Sequence, residues 1–275
     1  MAIVNSMFHM TGSLGDLTFY KKKDTGETIA RMKHGPSRKQ IMNDPRYEKL
    51  RLNGVEFAGR VQGGQLIVRA LGPLRRIVKP YFSQSLHKPL KAIQERDTKN
   101  KLGQRRISLS KHPVMLEGLT LNTGKDFTSM ICASILCSIS KTGETTVQMP
   151  ELIPGISYRL NSSAPYFRIH AVLGAVPDLH LRKGKYASVV PRLSNPWVSE
   201  STPWLHTGST IAPYTFHLVP KAVPAAKHFV WMLSVGIEFG FPITAYDIEP
   251  TLAQAAGKVL RVVSGGNAVE KSDIM

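Results

Sequence analysis

Phe229, Trp231, Leu233, Val235, Ile237 and Phe239 fall at every second position, and no other feature of the chain limits its fold so sharply. A period of two belongs to a β-strand, whose side chains point alternately to its two faces, whereas a helix would scatter the same residues around its axis. Six large apolar side chains on one face must be buried against a second layer, so the spacing predicts a strand over 229–239 facing a core. The same alternation recurs in Ile131, Ala133, Ile135, Cys137 and Ile139, and again in Phe167, Ile169, Ala171 and Leu173. Shorter candidates lie at 145–149, 156–160, 185–190 and 214–219. Strands joined by Pro, Gly, Asn and Ser, with no long helix between them, predict an antiparallel β-sandwich over 106–263. The segment 192–210, rich in Trp, Pro and Ser, reads as a long surface loop, and 264–275 as a flexible tail.

Before residue 106 the period is that of a helix. Asp44-Pro45 supplies a capping side chain followed by a proline at the first helical position, and Gly72-Pro73 supplies a stop. The helix between them carries Gly54, Gly59, Gly63 and Gly64, which weaken it or let another backbone approach closely. Leu74, Ile77, Val78, Tyr81, Phe82, Leu86, Leu90 and Ile93 then recur at steps of three and four, giving one apolar stripe that Pro80 and Pro89 divide into two or three short helices. Ahead of these helices, β-prone runs at 17–20 and 28–32 flank Asp24-Thr25-Gly26, the chemistry of a hairpin turn. The expected fold class is α+β. A basic hairpin and helical region fills 1–105, the antiparallel β-sandwich domain fills 106–263, and the tail fills 264–275.

Charge divides the chain in nearly the same place. Residues 1–111 hold 23 Lys and Arg against 8 Asp and Glu, an excess of +15, while 112–275 hold 13 against 11, so the first part carries most of the net +17. Such an excess calls for an anionic partner, and nucleic acid, an acidic protein surface and an anionic membrane are all candidates. Lys21, Lys22, Lys23, Arg31, Lys33, Arg38, Lys39, Arg75 and Arg76 are the residues expected to meet it, the first seven as one continuous positive surface. Phe19 and Tyr20 lie beside them, as rings do where bases stack. No named nucleic-acid module is visible. The N-terminus lacks a basic region followed by a long apolar core, and 229–239 is too short to span a bilayer as a helix. No membrane association is therefore expected, and the cytoplasm, or a virion, is the expected location.

Three strings resemble catalytic signatures and fail in context. Asp24-Thr25-Gly26 matches an aspartic-protease triplet, but follows three lysines at a turn. Gly118 to Lys125 resembles a phosphate-binding loop, with one residue too many between its glycines and Asp126 where Ser or Thr should ligate magnesium. Ser138-Ile-Ser-Lys141 overlaps Lys141-Thr-Gly143, although in the penicillin-binding enzymes these motifs stand far apart. Cys132 and Cys137, read within one strand, point to opposite faces, and the nine histidines show no ligand spacing. The chain is expected to be no enzyme, with no metal and no cofactor.

Gly12-Ser-Leu-Gly-Asp-Leu-Thr-Phe-Tyr20, followed by Ile29-Ala-Arg31, resembles the opening of a family of uncharacterised Bacteroidetes proteins associated with phages or mobile elements. Tyr47, then Arg51-Leu-Asn-Gly-Val-Glu-Phe57, and Val147-Gln-Met-Pro-Glu-Leu-Ile-Pro154 are similar to that group too; together the matches cover about a third of the chain. The resemblance implies a structural or assembly protein and carries over no catalytic residue. The leading expectation is such a component, in a homo-oligomer or larger assembly, with its basic region engaging nucleic acid or an acidic partner. Two alternatives stand beside it: a nucleic-acid-binding protein proper, and a β-sandwich module that recognises carbohydrate or protein through Trp197, Trp204 and Tyr214.

Overall fold

The computed structural model describes all residues except 1, 5–9, 33–34, 80, 123, 141, 161, 191–194, 225–227, 245–246, 266–271 and 275. The chain divides into two compact units at Arg51/Leu52, not at 105/106. The reason lies in the core: the helices between 67 and 93 share one apolar cluster with the strands that follow, so they belong to the second unit.

The first unit is a four-stranded antiparallel sheet with a helix. Its strands are β1 (Ala2–Val4), β2 (Gly12–Leu14), β3 (Leu17–Lys21) and β4 (Thr28–Met32), in the order β1-β4-β3-β2. Helix α1 (Arg38–Asn43) starts at a capping box, in which the Gln40 N–H donates to Ser37 Oγ at 3.2 Å and the Ser37 N–H to Gln40 Oε1 at 2.7 Å. Asp44 then caps the 3-10 turn Pro45–Tyr47, and α2 (Glu48–Ala70) follows, ending where Gly72-Pro73 marks the stop. Arg51 ties α1 to this start by donating to the carbonyls of Ile41 and Asp44 at 2.6 and 3.0 Å. Ile29 is the sole buried apolar residue among the described residues of this unit.

In the second unit the proline-broken stripe becomes three short pieces: the 3-10 turn Gly72–Arg76, α3 (Phe82–Ser85) and α4 (His87–Glu95). Pro89 lies in the first turn of α4, where its missing N–H has no partner to lose. After α5 (Phe127–Met130) come β5 (Ile135–Ile139), β6 (Thr145–Met149), β7 (Tyr166–Pro177), β8 (Leu179–Arg182), β9 (Lys185–Ser188), β10 (Trp197–Ser201) and β11 (Leu205–His206). Strands β12 (Tyr214–Leu218), β13 (Phe229–Pro242), β14 (Ile248–Ser264) and β15 (Ser272–Ile274) complete the unit.

The large sheet runs β10-β7-β13-β14, with β11 also on β7, and a second sheet runs β12-β6-β5-β15. All pairings in both are antiparallel. The sheets remain separate and unclosed, sharing a core rather than strands. Phe229 through Phe239 at alternate positions face that core, with Val147, Met149, Phe216 and Leu218 of the second sheet in the same cluster.

The interleaved residues of β13 are buried as well. Val230 and Met232 lie in a different cluster with Ile67, Leu71, Leu74, Leu86 and Leu90 of the helical layer. The large sheet is thus covered on both faces, by the second sheet on one and by helices on the other. Gly174 makes the helical cover possible, because a Cβ there would stand 2.2 Å from the Ala70 carbonyl oxygen. Gly59 of α2 answers to a ring in the same way: a Cβ would lie 2.7 Å from the Tyr186 side chain.

Several expectations are corrected. The alternation at 131–139 yields a strand only from Ile135, because Asp126 caps a short helical turn before it, accepting from Thr128 N at 3.3 Å and Thr128 Oγ1 at 2.5 Å. Cys132 is therefore exposed outside the strand while Cys137 is buried within it, and both are free thiols. Residues 156–160 form a turn, closed by the Gly155 N–H donating to the Tyr158 carbonyl at 2.8 Å. The segment 192–210, expected as a loop, contributes β10 and β11 to the edge of the large sheet. Within the expected tail, Ser272–Ile274 pairs with β5. Among the described residues no helix is long and apolar enough to cross a membrane.

Candidate functional site

The hairpin carries its cations at the turn. Lys21 closes β3 opposite Thr28, and the turn beyond it is held by the Lys22 N–H donating to the Glu27 carbonyl and the Gly26 N–H to the Lys22 carbonyl, both at 2.9 Å. Lys21, Lys22 and Lys23 are all exposed. The ladder places Lys21 on the same face as Phe19, Leu17 and Met32, and Arg31, opposite Thr18, on the other face with Tyr20 and Ile29. Arg38 and Lys39 are exposed on α1. Lys33 lies outside the described residues. The three tip lysines are brought together; Arg31 is turned away from Lys21. At the opposite end of these strands from the tip, Leu14, Leu17 and Met32 are 71, 40 and 56% exposed and adjacent across strands β2, β3 and β4.

Arg75 and Arg76 belong to the second unit and differ in use. Arg75 is exposed, whereas Arg76 reaches the buried Glu238, with Nη2 at 3.3 Å from Oε2. Glu238 stands directly across from Arg168 in the ladder and is hydrogen-bonded by its guanidinium, which also lies over the Trp204 ring at 4.6 Å. His170 Nε2 is 3.2 Å from Glu238 Oε1. Burial alone would raise the carboxyl pKa; the approach of His170 and the Arg168 charge outweigh it and hold the group below the usual carboxylate range.

His170 Nδ1 lies 2.6 Å from Ser201 Oγ, its cross-strand neighbour, so a hydroxyl, an imidazole and a carboxylate stand in line. Nucleophilic catalysis needs a substrate beside the hydroxyl–imidazole pair. Here the imidazole is 4% exposed, under the cover of Leu74 and Ile77 on the neighbouring Gly236. The arrangement locks the 3-10 turn Gly72–Arg76 onto the sheet.

The partial motifs are placed as follows. Asp24 is exposed at the hairpin turn, and Lys125 is half-buried beside the Asp126 cap. Lys141 lies outside the described residues. Among the described residues no cluster of three or more His, Cys, Asp or Glu could hold a metal. The aromatic residues considered for carbohydrate are spread over separate tasks: Trp197 covers Gly72, Trp204 stacks on Arg168, and Tyr214 Oη donates to Glu200 Oε1 at 3.1 Å.

The nine cations named from the sequence do not mark where most of the charge sits. Residues 52–111 hold 13 Lys and Arg against three acids. Lys88, Lys91, Arg96, Lys99, Lys101, Arg106 and Lys111 are exposed, on α4 and the loop that follows it. One of the three acids, Asp97, is tied up by the backbone N–H groups of Lys99, Asn100 and Arg106 at 3.2, 3.3 and 2.7 Å, which holds its pKa below the ordinary value against the opposing effect of burial. Counting charge by segment finds this region; a search for runs of lysine does not.

No protein-family model, curated protein or solved structure matches the chain.

Proposed function

We propose that the chain is a non-enzymatic structural or assembly protein whose basic N-terminal region engages an anionic partner, nucleic acid or an acidic protein surface. The observation that carries this reading is the exposed Lys21-Lys22-Lys23 tip of a sheet that also exposes the apolar residues Leu14, Leu17 and Met32 at its other end. Clustered cations attract phosphate or carboxylate, and an apolar sheet face left in water favours a protein neighbour. The second unit, read as an antiparallel sandwich with a helical cover, serves as the scaffold. The buried Glu238 and His170 and the half-buried Arg168 are engaged with one another, which supports a structural role for them. Membership of a phage or mobile element, and of a homo-oligomer or larger assembly, is proposed on the sequence resemblance at 12–20, 47–57 and 147–154.

The test is mixing of the purified chain with duplex DNA, RNA and polyglutamate at about 50 mM salt, read by sedimentation. The expected result is a complex with at least one of the three. A chain that sediments alone with all of them contradicts the reading.

A further inference from the structure

The second unit holds a cleft of about 250 Å³ lined by Arg106, Ser108, Lys111, Asp178, His180 and His228, among others. It is below the size of pockets that enclose drug-sized molecules and on the scale of one phosphate group with its attached sugar. Its wall is built by β8, which carries His180, and by the 3-10 turn Leu109–Lys111. Their junction is fixed by Ile107 and Leu179, which exchange backbone hydrogen bonds at 2.9 and 3.0 Å.

Asp178, the acidic member of this set, is already engaged. It is 5% exposed and accepts from the Ser110 N–H at 2.8 Å and the Ser110 hydroxyl at 2.5 Å. His228 Nδ1 lies farther off, at 4.0 Å. The cations are not engaged in this way. Arg106 and Lys111 are exposed, and neither makes an ion pair among the described residues. His180 Nδ1 is buried and has no hydrogen-bond partner among them. An orphaned polar atom beside two unpaired cations points to a ligand that brings acceptors.

We propose that this cleft binds a phosphate group, with Arg106 and Lys111 supplying charge and Ser108, His180 and His228 supplying hydrogen bonds. A guanidinium fork, an ammonium, a hydroxyl and imidazoles offer donors from several directions, which suits a tetrahedral oxyanion better than a planar carboxylate. The phosphate comes either from a nucleic-acid backbone or from a free phosphate compound. The first source deepens the nucleic-acid form of the proposed function and rests on it; the second does not.

The experiment titrates inorganic phosphate, and separately a short single-stranded oligonucleotide, into the full chain by calorimetry. Three proteins are compared: the parent, Arg106→Ala/Lys111→Ala, and Lys21→Glu/Lys22→Glu/Lys23→Glu. Because Arg106 and Lys111 are exposed, the double variant should keep the parent's circular dichroism and melting temperature. Saturable phosphate binding is expected in the parent, weakened about tenfold or more in the double variant and unchanged in the hairpin variant. If the double variant weakens oligonucleotide binding as well, the source is a nucleic-acid backbone; if it loses phosphate alone, the source is a free phosphate. Absence of phosphate binding in the parent, or equal binding by the double variant, overturns the proposal. Oligonucleotide binding that depends on Lys21 to Lys23 would leave the proposed function standing even then.

Discussion

Replacing Glu238 with Gln isolates the charge at the centre of the buried cluster, because the side chain keeps its shape and one acceptor. In the parent, Glu238 is 1% exposed and faces Arg168, His170 and Arg76, whose side chains are 26, 4 and 50% exposed. Removing one partner of a fully buried ion pair costs about 3–5 kcal/mol, since the remaining charge is left uncompensated. The hydration that Arg168 and Arg76 retain reduces this, and we expect a loss of about 2–3 kcal/mol at pH 7. For a unit of this size that lowers the melting temperature by about 5–10 °C. The pH dependence supplies a second check. The folded carboxyl pKa is depressed, so its contribution is complete above the unfolded value and is lost as pH falls through the lower folded one. The difference between parent and variant should therefore shrink below about pH 4, where an unfolded glutamate takes up its proton. Urea denaturation of both proteins between neutral and acid pH measures it. A variant as stable as the parent at pH 7 would refute the view that this carboxylate holds Arg168 and the 3-10 turn on the sheet.

Two further predictions concern the core. Trp231→Ala should cost about 3 kcal/mol, the low end of the range for a buried aromatic, because its indole N–H has no partner among the described residues and its removal relieves a penalty; chemical denaturation reads it, and a cost below about 1 kcal/mol would show the ring poorly packed. Tyr186→Phe should remove an alkaline weakness. Burial, chiefly, pushes the Tyr186 phenol up to about 12, so the stability it contributes is full below its unfolded value of about 10 and is lost as pH rises towards 12. The phenol accepts from Gln94 Nε2 at 2.7 Å and donates to the Arg105 carbonyl at 2.6 Å, so the variant should be weaker by about 1–2 kcal/mol at pH 8. That gap should narrow at pH 11. A gap that stays constant would contradict the assignment.

The strand at 229–239 is legible in the sequence because one face carries six large apolar residues without interruption. The burial of its other face is not, since Ser234, Gly236 and Glu238 read as the polar side of a half-exposed strand. Gly236 is small where Leu74 and Ile77 press on it, and Glu238 is charge-matched by Arg76. Strand β14 is hidden for a related reason: Ala255, Ala256, Val259, Leu260, Val262 and Val263 are buried on both faces, and register shifts opposite Leu233/Ser234 and Ile237/Phe239 break the alternation. Helix α2 is legible because Asp44-Pro45 before it and the Gly-Pro stop after it are local signals, although Asp44 caps a 3-10 turn that precedes the helix. The hairpin shows itself through its turn, but the opposite facing of Lys21 and Arg31 depends on the ladder register. The cleft at Arg106 and Lys111 joins residues some 70 positions apart, Ser110 with Asp178 and His180, and no local spacing announces it.

The central claim is that the basic N-terminal region meets an anionic partner through Lys21, Lys22 and Lys23. Its most direct test is the affinity for duplex DNA measured between about 50 and 200 mM salt, for the parent and the triple Lys→Glu variant. The account predicts steep weakening with salt in the parent. It also predicts a shallower slope of log affinity against log salt in the variant, by about 0.9 for every phosphate that the three lysines neutralise. Equal slopes and equal affinities in the two proteins would contradict it.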